Sequence, residues 1–117
     1  MRLRELEPVW IRYWTREVDQ TSFADTSAHP GKRTLEGMSH AWDITEAQGI
    51  RFTCPKCSEH QVIVWFRDRG VPDSATPGPG RWVCSGISFD DLSLTPSINL
   101  SGGGCGWHGF ITNGEIV

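Results

Sequence analysis

Four cysteines, one serine and one histidine are the side chains in this sequence whose types and spacing could do chemistry. Cys54 and Cys57 bracket Pro55-Lys56, and a two-residue spacing lets two thiolates from one tight turn reach a single tetrahedral ion. Two more cysteines follow at Cys84 and Cys105. Thiolate-rich, four-coordinate sites suit zinc, which needs no redox chemistry to be held there. The remaining ligands can be chosen in two ways. Cys105-Gly106-Trp107-His108 can act as a second knuckle, giving three cysteines and one histidine. Alternatively Cys84 is the fourth ligand and His108 is left over. His60, three residues after Cys57, is a weaker candidate ligand and reads more simply as a polar strand residue. Each set has four protein donors and no open position, so the metal is structural and any reaction lies elsewhere. The set adopted is Cys54, Cys57, Cys84 and Cys105.

That choice frees His108 for a different task. Two extended stretches, Ser97-Ile98-Asn99-Leu100 and Cys105-Gly106-Trp107-His108, flank Gly102-Gly103-Gly104, the pattern of a hairpin. A turn centred between Gly102 and Gly103 sets Ser97 directly across from His108. Opposed residues of an antiparallel pair share a face with Cβ atoms about 4.5–5.5 Å apart. A hydroxyl and an imidazole at that separation can hydrogen-bond as nucleophile and base. Parity opposes the other use of His108, because residues three apart on a continuous strand face opposite ways. A knuckle that breaks the strand at Cys105 would remove that objection. The adjacent acids Asp90 and Asp91 are candidates to orient the ring, with Asp91 preferred. The glycines at 102 to 104 offer backbone N–H groups to an oxyanion.

The elements that must position these groups read as mainly β. Val9-Trp10-Ile11-Arg12-Tyr13-Trp14 mixes aromatic and β-branched residues as strands do. Residues 19–38, rich in Ser, Thr, Asp and Gly, read as loop, and residues 41–48 as one or two helical turns ended by Gly49. Strands are predicted at residues 50–53, 60–66 and 81–84, with extended stretches at 87–94 and 97–100 interrupted by Pro96. Pro77-Gly78-Pro79-Gly80 closes a loop over 67–80. Residues 107–112 and 115–117 flank Asn113-Gly114, a strong hairpin signal. The expectation is a single domain over residues 1–117, of antiparallel strands and hairpins stapled by the metal, with little helix.

Composition narrows the function. The 11 Lys and Arg against 14 Asp and Glu give a net charge of −3. Nucleic-acid affinity rests on cationic contacts to phosphates, so no nucleic-acid partner is expected. No apolar run approaches a membrane span, and the N-terminus has no export signal. Four cysteines in such a chain read as metal ligands or reduced thiols, and the compartment expected is the cytoplasm. The six tryptophans are most simply core residues.

Several segments together resemble a known family: Met1-Arg2-Leu3-Arg4-Glu5-Leu6-Glu7-Pro8, Gly49-Ile50-Arg51-Phe52-Thr53-Cys54-Pro55-Lys56-Cys57, Asp91-Leu92-Ser93-Leu94-Thr95-Pro96-Ser97-Ile98 and His108-Gly109-Phe110-Ile111-Thr112-Asn113-Gly114-Glu115-Ile116. The chain is similar to small proteins common in phages and prophages, some mislabelled as ammonia monooxygenase. They are related to a serine-peptidase-like component of bacterial ubiquitin-like conjugation operons. The resemblance implies a zinc-stabilised hydrolase with Ser97 as nucleophile and His108 as base. The protein substrate or partner it implies is a ubiquitin-like protein or its conjugates, met in the host cytoplasm where the gene is phage-borne. It supplies no match for Cys84 and no acid for a triad. The competing expectation is a non-catalytic zinc module that binds a protein partner or sits in a virion, with His108 as ligand.

Overall fold

The computed structural model describes residues 1–19, 32–78, 80–100 and 105–117. Two four-stranded antiparallel sheets carry them, ordered β2-β1-β3-β4 and β5-β6-β7-β8. The first comprises β1 (Val9–Asp19), β2 (Lys32–His40), β3 (Gly49–Thr53) and β4 (Gln61–Trp65). The second comprises β5 (Val83–Ser85), β6 (Ser93–Asn99), β7 (His108–Thr112) and β8 (Glu115–Ile116). A short 3-10 turn, Leu3–Leu6, precedes them. The mainly β class read from the sequence is the class observed. Among the described residues, no helix is long and apolar enough to cross a membrane.

One apolar cluster draws on both sheets. Ile50, Phe52, Val62 and Val64 of the first pack in it with Leu94, Ile98 and Ile111 of the second. Leu3, Leu6, Leu92 and Trp107 are among the residues that join it from outside the strands. Strand alternation explains the selection: β7 alternates between exposed and buried, with Gly109 and Ile111 inward and His108, Phe110 and Thr112 outward. The sheets also touch through backbone, where Phe66 and Trp82 form a parallel bridge.

The first sheet is covered on its other face as well. Ile11, Trp65 and Ala75 are buried there, and the expected loop after β4 lies over them. Trp65 Nε1 donates to the Thr76 carbonyl at 3.1 Å, and Tyr13 meets the Trp65 ring edge-on. A Cβ on Gly49 would stand 2.5 Å from the Val64 carbonyl oxygen and 2.7 Å from the Trp65 ring, so this close approach needs glycine.

Two expectations are corrected. Residues 32–38, read as loop, belong to β2, paired with β1 from Ile11↔His40 to Asp19↔Lys32. That ribbon is largely exposed beyond the core, so it needs no apolar alternation to mark it. Trp14 lies against Gly37, where a Cβ would come within 2.4 Å of the ring. Residues 20–31 lie outside the described residues. The extended stretch expected at 87–94 is instead a turn up to Asp91, and β6 begins only at Ser93. The Asn113-Gly114 hairpin forms, both residues having positive φ (48° and 75°), as a tight turn between twisted strands requires.

Candidate functional site

Two groups of reactive side chains lie at the same end of the second sheet. The first is built from turns. Residues 54–60 form the connection between β3 and β4, and Cys105 lies in the connection between β6 and β7, three residues before His108. Cys54 is fully buried, while its turn is closed by Ser58 N–H donating to the Cys54 carbonyl (3.0 Å) and Cys54 N–H to the His60 carbonyl (2.9 Å). Ser58 and Gly106, each following a cysteine, adopt positive φ of 58° and 80°. Glu59 N–H thereby reaches Cys57 Sγ at 3.4 Å. Phe52 and Trp107 pack edge to face between the two turns, ring centroids 6.1 Å apart.

The ligand atoms of Cys54, Cys57, His60 and Cys105 all lie within 4.8 Å of one another. Cys54 Sγ is 3.3 Å from Cys105 Sγ, and Cys57 Sγ is 3.0 Å from His60 Nδ1. A tetrahedral ion bonded at about 2.3 Å to sulfur and about 2.0 Å to nitrogen sets its ligands roughly 3.5–4 Å apart, so the set fits one. Burial pushes the Cys54 thiol up, but backbone N–H groups of Cys57 and Lys56 outweigh it and hold that thiol below its ordinary value. The Glu59 N–H chiefly lowers Cys57, and burial, with Cys54 beside it, raises Cys105. Peptide donors aimed at sulfur favour thiolates, the form that binds metal. This cluster could hold a metal ion, and its donors are consistent with zinc.

The fourth donor in this cluster is His60, where the sequence pointed to Cys84. Cys84 stands on β5 opposite Leu94, with Arg69 Nη2 3.7 Å from its sulfur. That guanidinium also donates to the Ile44 and Ala47 carbonyls and lies over the Phe66 ring. The signal for His60 was available: Cys54, Cys57 and His60 repeat one spacing. The strand starts at Gln61, so His60 still belongs to the turn and strand parity does not govern it.

The second group lies on the solvent-facing side of the second sheet. His108 Nε2 is 3.0 Å from Ser97 Oγ, with Ser97 half-buried and His108 exposed. The hairpin that joins them has a different register from the one expected. Asn99 is the Cα partner of His108 and Ile98 that of Gly109, whereas Leu94 pairs with Ile111 after a register shift. Pro96 lies within the shifted stretch; it has no N–H to give the ladder, which suits it to such an irregularity. Ser97 therefore meets His108 from the diagonal position, on the same face. Trp82 Nε1 donates to the Ser97 carbonyl at 3.3 Å, tying this strand to the start of β5.

Asp91 is not brought to this pair. Its Oδ1 accepts from the Ile87 and Ser88 N–H groups at 2.9 and 2.8 Å and from Ser88 Oγ at 3.2 Å. Those donors, Ser88 first, hold its carboxyl below the usual range, and its work is to fold the turn before β6. Asp90 instead forms a two-pronged ion pair with Arg4, at 2.8 and 2.7 Å. Among the described residues, no carboxylate is hydrogen-bonded to His108. The glycines expected to serve an oxyanion, 102 to 104, lie outside the described residues.

Comparison with curated proteins and with solved structures returns no match. Residues 25–117 match the sequence model of a family described as bacterial ubiquitination-like system serine protease (BubE). That match covers most of the chain, including both groups of side chains, and the chain belongs to this family.

Proposed function

We propose that this member of the family is a serine-type peptidase that processes a ubiquitin-like protein or removes it from its conjugates, with Ser97 as nucleophile and His108 as base. The 3.0 Å approach of His108 Nε2 to Ser97 Oγ carries the proposal. A weakly acidic hydroxyl becomes a nucleophile when a base within hydrogen-bond reach can take its proton.

The steps follow from that geometry. With its hydrogen on Nδ1, the His108 ring presents a lone pair at Nε2. Ser97 Oγ attacks the carbonyl carbon of a peptide or isopeptide bond as its proton passes to Nε2. The tetrahedral species collapses, the C–N bond breaks, and His108 returns the proton to the leaving amine. Water, deprotonated by the same nitrogen, then hydrolyses the acyl-enzyme, releasing a carboxylic acid and restoring Ser97. The pair acts as a dyad, and Asp91 contributes by shaping the turn that launches β6.

Cys54, Cys57, His60 and Cys105 would hold zinc, whose contribution is to tie two turns together as a structural ion. Four protein donors leave no position for substrate. Through Cys105, three residues before His108, such a site would steady the end of β7 from which His108 projects. Reduced thiolates of this kind persist in the cytoplasm, the compartment that suits the proposal. The test is release of a ubiquitin-like protein from its precursor or conjugate. Wild type is expected to turn over, and Ser97→Ala to lose all but a small residue of that rate. Equal rates in the two proteins would overturn the assignment.

A further inference from the structure

The open edge of β4 borders a groove that neither Ser97 nor His108 lines. β4 is the last strand of its sheet, and its partner β3 takes only half of its backbone groups. Cys54 N–H bonds to the His60 carbonyl, and Phe66 N–H to the Gln48 carbonyl. Alternation along an antiparallel ladder then assigns Val62 and Val64 to β3 and points the N–H and C=O of Gln61, Ile63 and Trp65 outward. The outward carbonyl of Trp65 is met by Trp82 N–H at 3.0 Å. Among the described residues, Gln61 and Ile63 have no backbone partner on that side.

Those two residues line a groove of about 460 Å³. Its other walls include Ile98 and Leu100 of the Ser97 strand, Trp82, and Gly78 of the loop after β4. Ser97 itself does not line it; its carbonyl accepts from Nε1 of Trp82, a groove-lining residue. No Asp, Glu, Lys or Arg lines it, and its titratable member, His60, belongs to the cysteine cluster. Exposed strand edges are normally blunted by lysine, proline or a bulge, because they recruit other strands. Residues 61–65, Gln-Val-Ile-Val-Trp, carry none of these protections.

We infer that this groove takes an extended, uncharged segment of the substrate chain as an added strand on β4, paired with Gln61 and Ile63. This rests on the peptidase reading for its choice of occupant, a peptide held against the strand that carries Ser97, through Ile98 and Asn99. Backbone pairing would bind the segment whatever its side chains, while the uncharged walls select against acidic and basic residues, which would be desolvated without partners.

The experiment uses zinc-loaded Ser97→Ala, so that binding is read without turnover. Amide exchange and chemical shifts are followed by NMR with capped hexapeptides of Gly, Ala, Ser and Val at millimolar concentration. Matched sets carry Asp or Lys at two positions, or are N-methylated at alternate residues. The expected result is slowed exchange at the Gln61 and Ile63 amides, with binding about ten-fold weaker for the charged and N-methylated sets, the scale of one or two lost hydrogen bonds. Gln61→Pro, a substitution tolerated at a strand's first residue, should weaken binding likewise. If that variant does not fold, the N-methylated set probes the same bonds from the peptide's side. No protection at Gln61 and Ile63, equal binding of the charged set, or protection that grows with protein concentration alone (a second copy on the edge) overturns the inference. Protection without hydrolysis by wild type would remove the peptidase reading and leave the groove; hydrolysis without protection would do the reverse.

Discussion

His108 reaches Ser97 across a diagonal of the β6–β7 ladder: the Cα partner of His108 is Asn99, yet its Nε2 stands 3.0 Å from Ser97 Oγ. Diagonal neighbours on one face lie about 7–8 Å apart at Cα, too far for two short side chains but within reach of an imidazole. The arrangement keeps His108 on the open face of the sheet. Phe110, on the same face and about half exposed, leaves an apolar surface beside the pair. The protein substrate proposed above could approach such a face without entering a cavity.

The metal cluster makes the first prediction. His60→Ala is expected to lower the zinc bound per chain and the melting temperature together, whereas Cys84→Ala keeps its zinc. A hundred-fold loss of affinity at fixed free zinc corresponds to up to about 2.7 kcal/mol of stability. Metal analysis of both purified variants checks this. Zinc lost from Cys84→Ala and kept by His60→Ala would restore the four-cysteine set.

Trp107 joins the cluster to the core. It is buried and meets Phe52 edge-on between the two turns. Trp107→Ala should cost about 3–5 kcal/mol, the usual range for losing a large buried aromatic. Denaturant unfolding of the zinc-loaded protein measures it, and a loss under about 1 kcal/mol would show that the turns are held without this contact.

Asp91→Ala separates the turn from the chemistry. Losing the acceptor of three hydrogen bonds should lower the melting temperature measurably. The reactivity of Ser97 should stay within a few-fold of wild type once the fold is intact. A loss of three orders of magnitude in a folded variant would make Asp91 the orienting acid of a triad.

Acid sensitivity follows from the Arg4 ion pair. Hydrogen bonding to Arg4 holds the Asp90 carboxyl below its ordinary value in the folded protein, with the charges of Arg4 and Arg2 adding to it. A lowered folded value contributes stability above the unfolded carboxylate range, near pH 4, and loses it as pH falls through the folded value. Asp90→Asn should therefore flatten the decline in stability below about pH 4. The slopes should agree above pH 6, and thermal melts across that range make the comparison. An unchanged acid slope would show that the pair forms equally in the unfolded chain.

How much of this was legible in the residues depends on which physical signal each part left. The Asn113-Gly114 hairpin announces itself, because positive φ at two successive positions restricts the residue types. Ser97 and His108 were paired correctly by face and wrongly by register, since the register moves by two residues across the Pro96 irregularity. A shift of two preserves the face; a shift of one would have separated them. β2 was hidden because an exposed ribbon needs no apolar periodicity. His60 was hidden by treating position 60 as strand, one residue before β4 begins. Asp91 looked available because a sequence does not show that its carboxylate is already committed to Ile87 and Ser88.

The central claim, that His108 activates Ser97, is tested most directly by a serine-directed fluorophosphonate and intact-mass analysis. Wild type should gain one adduct, mapped to Ser97, and His108→Ala, folded and zinc-loaded, should gain it at least about a hundred-fold more slowly. An adduct formed equally fast without His108, one mapped to another residue, or none at all would contradict the account.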